Sequence, residues 1–231
     1  MIKPIYDVDV DYCLKLNPNY KITHFQNDVL VIDDWYENFE ALQKFVYEEG
    51  RPTNWSNGSD DYFDGKWYTT HRTGEKARVN GIKNSNREEM MTELLKLIKK
   101  YFNFEGKFDE NDFLNFNYFK LFKKQEINLH HYPHTDQSDF GAVIFLDNIC
   151  DGGLQFYNVV ETKNEVRPFL IDTKTHTWES KFEPITTINS KPNRLVIGRT
   201  GMQNHGAYFD DINSYLNDWR ISQVYFIVGE D

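Results

Sequence analysis

Residues 141–160 read GAVIFLDNICDGGLQFYNVV. Two apolar, aromatic-rich runs, GAVIFL and LQFYNVV, flank the turn signal Asp151-Gly152-Gly153. That is the texture of two short strands. It recurs on both sides: FLNFNYFKLF begins at Phe113 and INLHHY at Ile127, RLVIG follows Lys191-Pro192-Asn193, and ISQVYFIV covers 221–228. Strands at short spacing, punctuated by Gly, Pro and Asn, imply an antiparallel sandwich or barrel.

Moving outward to the N-terminal half, the texture changes. Val29–Ile32 has a buried-strand pattern ending in Asp33-Asp34. Phe39, Leu42, Phe45 and Val46 then share one helical face, and this helix is expected to stop near Gly50. A second helix starts at Ser85 or Asn86, each followed three residues on by a glutamate, as in a capping box. Met91, Leu94, Leu95, Ile98 and Phe102 form its apolar stripe. Both stripes read as core faces. Between the helices, residues 51–83 contain WSNGSDDYFDGKWYTTHRTG, a long polar and aromatic stretch read as a loop. With Trp55, Tyr62, Trp67 and Tyr68 in it, it is a candidate lid or substrate wall. The expected organisation is one domain over 1–231. Residues 1–112 form a helical support layer and lid, and 113–231 a β core. The fold class is mainly β with N-terminal helices, α+β.

The bulk composition bounds the function. A chain of 231 residues suits a single domain. Acidic residues exceed Lys plus Arg by 36 to 26, for a net charge of −10, which argues against a nucleic-acid or anionic-membrane partner. Aromatic residues make up 16% of the chain, enough to build a core and exclude wholesale disorder. Two distant cysteines, Cys13 and Cys150, are too few for a disulfide scaffold and point to a reducing, cytoplasmic setting. MIKPIYDVDVDYC lacks the basic-then-apolar pattern of a signal peptide. No stretch has the run of ~20 apolar residues that spans a bilayer. Nothing in the sequence reports the oligomeric state.

The chemistry centres on His134-Thr135-Asp136. On a strand, residues i and i+2 share a face, so both side chains can reach one metal ion. His205, in QNHGAYF, lies on a segment suited to a neighbouring strand. Two histidines and one carboxylate are the facial triad that holds Fe(II) with open positions left over. With 7 His and 36 acidic residues in the chain, about one His-x-acid pair arises by chance, so the motif alone is nearly uninformative. Its setting gives it weight. An aromatic strand run precedes it, a Gly-Gly strand start follows, His205 comes next, and Arg220-Ile221-Ser222 enters the last strand.

That ordered set resembles the Fe(II)/2-oxoglutarate-dependent dioxygenases, in the branch similar to prolyl 4-hydroxylases. The matching residues are HTD at 134–136, AVIFLDNICDGGLQFYN at 142–158, KPNRLVIG at 191–198, NHGA at 204–207 and WRISQVYFI at 219–227. DVLVIDDWYENFEALQKFV at 28–46 is similar, more loosely, to the strand-then-helix opening of that branch. The resemblance implies a double-stranded β-helix, the jelly-roll and cupin-like fold. It implies that His134, Asp136 and His205 hold the iron at the catalytic centre. Arg220 would then pair with the distal carboxylate of 2-oxoglutarate, and Ser222 would add a hydroxyl to it. The implied cofactors are Fe(II), 2-oxoglutarate and O₂. The implied reaction hydroxylates a small-molecule or peptide substrate, specifically a peptidyl or free amino acid, with release of succinate and CO₂.

The chain departs from that pattern in two places. Where many members carry a cosubstrate-binding tyrosine, this chain has Phe145, and Tyr118 or Asn117 on the preceding strand are the candidate replacements. The interval from His205 to Arg220 is also long, with YFDDINSYLND reading as an inserted loop. His24, His130 and His176 read as ordinary core or surface histidines, and His71 as a surface residue of the lid. His131 and Tyr132 adjoin the motif. Arg194 and Arg199 are rival carboxylate binders. Two alternatives stay open: a non-catalytic jelly-roll binding module, whose mark would be a lost ligand, and a cupin-type metalloenzyme that does not use 2-oxoglutarate. Arg220-x-Ser222 speaks against the second, because a buried guanidinium needs an anionic partner.

Overall fold

The computed structural model describes residues 10–49, 61–63, 66–71, 74–79, 86–108, 115–121, 129–131, 133–161, 170–172, 181–215 and 220–229. Antiparallel pairing organises most of them. The strands are β1 (Lys21–Gln26), β2 (Val29–Asp33), β3 (Asp61–Phe63), β4 (Lys66–His71), β5 (Gly74–Val79), β6 (Gly106–Phe108), β7 (Asn115–Leu121) and β8 (Leu129–His131). They continue with β9 (Phe140–Phe145), β10 (Gly153–Glu161), β11 (Leu170–Asp172), β12 (Lys181–Asn189), β13 (Arg194–Gly198), β14 (Asn204–Tyr208) and β15 (Arg220–Gly229). Among the described residues, a large sheet runs β1-β2-β13-β9-β15-β7-β5-β4-β3, with β6 also on β15. A small sheet runs β12-β10-β14, and β11 pairs with β8. A hydrogen-bonded bridge between His134 and His205 links the chain after β8 to β14. From β7 onward the backbone shuttles between the two sheets, so segments distant in sequence become neighbours. The chain is mainly antiparallel β with few helices.

The helices are α1 (Val10–Cys13), α2 (Phe39–Lys44, extended by a π-helical turn Phe45–Glu49) and α3 (Asn86–Phe102). Leu42, Phe45 and Val46 are buried, as their spacing predicts. Gly50 and Ser85 lie outside the described residues. In α3 the buried stripe is Met90, Leu94, Leu97, Ile98 and Phe102, while Met91 and Leu95 are only partly buried against it. The stripe is thus rotated slightly from the sequence reading. Steps of three and four from Met90 keep one face, and Met91 and Leu95 sit at its margin. Asn103 ends the helix in the left-handed region at φ 50°, its N–H bonded to Lys99 O at 3.1 Å.

Strict alternation sorts side chains into two cores. Leu30 and Ile32 of β2, Ala142 and Ile144 of β9, Leu195 and Ile197 of β13, and Ile221, Tyr225 and Ile227 of β15 join α2 and α3 in the larger core. Val29, Val31, Phe145 and Val196 point the other way, onto Leu154 and Phe156 of β10 and Ile188 of β12. The molecule is therefore layered as helices, large sheet and small sheet, with a second apolar core between the sheets. Gly152 stands at φ 73° in the turn into β10, where a Cβ would lie 2.0 Å from Tyr208 O; only glycine fits there.

Residues 61–79 differ from the loop expected over 51–83. Where described, they are β3, β4 and β5, an antiparallel meander that extends the large sheet beyond β7. The signal was present: Asp64-Gly65 stands between two aromatic and β-branched runs, which is a strong hairpin mark. The density of polar residues hid it. The backbones of Tyr62, Trp67, Tyr68 and His71 belong to these strands, while Trp55 lies outside the described residues, as do Tyr132 and His176.

Candidate metal centre

His134 and His205 are brought together by backbone. His134 N donates to His205 O at 3.0 Å, and His205 N to His134 O at 2.9 Å. A pair that exchanges both bonds holds its side chains abreast on one face. The two imidazoles accordingly lie with centroids 4.7 Å apart and planes at 40°. Asp136 is past this bridge, so its place is set by its own amide, which donates to Thr200 O at 2.9 Å. Its carboxylate reaches both rings, with Oδ1 3.7 Å from His134 Nε2 and Oδ2 3.4 Å from His205 Nε2. The three ligand atoms all fall within 4.8 Å of one another. Among the described residues they form the single such group of three or more His, Cys, Asp and Glu side chains.

The local chemistry suits a cation. His205 is 7% exposed, and its ring lies 6.0 Å from that of Phe156, the residue paired with it on β10. Burial pushes its pKa down, against the pull of the Asp136 charge, and so favours the neutral ring that a metal requires. Its Nδ1 faces Gln203 O at 3.3 Å. A proton on Nδ1 bonded to that carbonyl leaves the Nε2 lone pair directed at Asp136, a common way of orienting a histidine ligand. A metal bonded to N and O donors at about 2.1 Å would draw the three side chains closer, since atoms sharing such an ion lie at most about 4.2 Å apart. The donor set fits a divalent ion.

Arg220 opens β15. Ile221, Gln223 and Tyr225 turn toward the helices and are fully buried, so Arg220, Ser222 and Val224 occupy the opposite, inter-sheet face. The guanidinium donates from Nη2 to Gly153 O at 2.8 Å and lies 4.7 Å over the Phe209 ring. Gly153 pairs with Tyr208 and Phe156 with His205, so Arg220 is anchored three residues along the sheet from the histidine level, about 10 Å away. Ser222 is paired with Phe145 on β9. Asp147, just beyond β9, is 1% exposed; burial raises its pKa and the nearby Arg220 charge opposes that rise.

The rival arginines are committed elsewhere. Arg194 grips Asp33 with Nε at 2.7 Å and Nη2 at 3.1 Å, while Arg199 donates to Phe102 O and lies over the Phe102 and Phe140 rings. Tyr118 belongs to β7, where it pairs with Ile221, and Asn117 pairs with Ser222. Both side chains lie outside the described residues. Thr200, Gly141 and Asp147 border the site without having been singled out by any sequence signal, because each acts through a contact that only the folded chain creates.

No protein-family model matches the chain, and no curated protein matches it in sequence. Solved structures do. A prolyl 4-hydroxylase from Phytophthora capsici is similar at 12% identity over 87% of this chain and 59% of its own, with a TM-score of 0.45. A 2OG-Fe(II) oxygenase family oxidoreductase from Burkholderia pseudomallei is similar at 12% identity over 88% and 86%, with a TM-score of 0.42. A putative oxygenase from Shewanella oneidensis is similar at 10% identity over 88% and 82%, with a TM-score of 0.46. The chain spans less than two thirds of the length of the first of these.

Proposed function

We propose that this chain is an Fe(II)- and 2-oxoglutarate-dependent oxygenase on a double-stranded β-helix. The observation that carries the reading is the meeting of His134, Asp136 and His205 at one end of an inter-sheet interior that Arg220 also faces. The fold reading rests on strand order. The large sheet contains β7-β15-β9-β13, the small one β14-β10-β12 with the chain after β8 bridged onto β14 at His134, and the chain crosses repeatedly between them.

In this reading Fe(II) is held by His134, Asp136 and His205, which leave positions open on the ion. Iron held there would serve to activate O₂, the oxidant, with 2-oxoglutarate as the two-electron donor: one oxygen atom would end in succinate as CO₂ is lost, and the other on the substrate. The chain's own residues bind, orient and exclude. Arg220 offers a forked, permanently charged donor to the distal carboxylate, and Ser222 stands on the same face. Gly153 O and the Phe209 ring fix the guanidinium before any ligand arrives. Phe145, Leu154, Phe156 and Val196, all nearly fully buried, keep water from the interior between the two anchors. Exposed Met202, in the turn leading to His205, and exposed Val159 and Val160, beyond Phe156 on β10, offer apolar contact outside it. The resemblance of the sequence motifs to prolyl 4-hydroxylases favours a peptidyl or free amino acid substrate, and the charge of −10 disfavours nucleic acid.

A cupin-type metalloenzyme without 2-oxoglutarate is favoured by one observation. Asp147 and Arg220 lie near enough for their charges to attract, although burial outweighs that attraction and raises the Asp147 pKa. Anaerobic addition of Fe(II) and then 2-oxoglutarate separates the readings. A weak visible charge-transfer band should appear, vanish in His134→Ala, and require at least about tenfold more 2-oxoglutarate in Arg220→Ala. Iron uptake with no band at any 2-oxoglutarate concentration would leave the cupin reading standing.

A further inference from the structure

Thr200 is 2% exposed, yet its Oγ1 is buried without a hydrogen-bond partner. A buried hydroxyl left unmatched costs stability, so its persistence calls for a reason. The threonine is tightly held. Its N–H donates to Gly198 O at 2.9 Å and its carbonyl accepts Asp136 N, also at 2.9 Å. Across from it stands Gly141 of β9. A Cβ on that glycine would meet Thr200 Cγ2 at 2.8 Å, Thr200 Oγ1 at 2.9 Å and Asp136 Oδ2 at 3.4 Å. The bare glycine surface therefore lets the hydroxyl and the carboxylate share one small space.

We infer that Thr200 is the positioning residue for Asp136. When a metal draws one carboxylate oxygen toward itself, Thr200 Oγ1 donates to the other and fixes the plane of the group. This rests on the metal-centre reading and extends it to a residue that touches neither metal nor substrate. A ligating carboxylate with an outer hydrogen-bond donor binds metal more tightly, and loss of such a donor typically costs about 10- to 100-fold in affinity.

The test uses the full chain and Co(II) alone, with affinity read by titration and coordination by the visible ligand-field bands. Thr200→Val keeps the shape and removes the hydroxyl; Thr200→Ser restores it. Thr200→Val should bind Co(II) about tenfold more weakly, with altered bands, while its metal-free melting temperature stays level or rises. Thr200→Ser should bind as wild type does. Thr200→Ala, which also lacks the hydroxyl, gives the same comparison should the valine variant fail to fold. Equal affinity and an unchanged spectrum in the variants lacking the hydroxyl would overturn this inference alone. Wild type that takes up no Co(II) would overturn the metal centre and the inference together.

Discussion

At the scale of single residues, the site depends on what is missing as much as on what is present. Gly141 has no side chain where two others converge, Thr200 from one side and Asp136 from the other. Gly141→Ala should push Thr200 outward and crowd the carboxylate, costing about 1–3 kcal/mol in stability as overpacking does and weakening Co(II) binding as well. Thermal melting and metal titration of the same sample check both, and a variant unchanged in the two measurements would show the space to be slack. The three candidate ligands could be picked out in the sequence: two histidines and an aspartate in an ordered set of strand fragments. Gly141 and Thr200 were not, because neither spacing nor residue type distinguishes them from any strand glycine or turn threonine. The place of Arg220 at the closing strand already favoured it over Arg194 and Arg199, and the structure adds that those two are bonded to Asp33 and to the Phe102 carbonyl.

At the scale of elements, β15 serves both faces of the large sheet. Its outer positions present Arg220 and Ser222 to the inter-sheet space, and its inner positions meet the helices. Gln223, on the helix side, is fully buried and joins two phenols: Tyr36 Oη donates to its Oε1, and its Nε2 donates to Tyr225 Oη at 2.7 Å. Gln223→Leu would take the amide partner from both hydroxyls, which keep Met90 Sδ at 3.0 Å from Tyr36 Oη and 3.3 Å from Tyr225 Oη. The expected loss is about 1–3 kcal/mol, seen as a fall of about 2–4 °C in melting temperature per kcal/mol. Co(II) affinity should stay unchanged, since the opposite face holds the site. ISQVYFIV could be read as a strand but not for its faces, because polar Gln223 falls on the buried helix side with Ile221 and Tyr225. The meander at 61–79 was obscured because its hairpin mark sits among aspartates and serines that also suit a loop. The stripe of α3 was displaced by a fraction of a turn, since Met90 and Met91 are equally apolar and only the sheet beneath decides which is buried.

At the scale of the whole molecule, an ion cluster binds the strand pair β2–β13. Asp33, 6% exposed, accepts from Arg194 and from Lys191, the latter at 2.8 Å. Burial alone would raise its pKa, but these cations outweigh burial and hold it below the usual carboxylate value. A carboxylate with a depressed folded pKa stabilises the native state above its unfolded pKa and loses that contribution as pH falls through the folded one. Wild type should therefore exceed Asp33→Asn in urea midpoint at pH 7, and the gap should close toward pH 3 and below. A gap that stays constant with pH would show that the ion cluster contributes nothing.

The bridge between His134 and His205 has one more consequence. It is the stitch by which β14 and the chain after β8 are sewn together, and the stitch is made by the same two residues whose rings face the site. A bound cation would therefore act as a rivet through a seam, fastening two halves of a sheet as well as three side chains. Backbone and coordination share the load: whatever strains the seam is felt at the ion, and whatever fills the centre tightens the cloth around it.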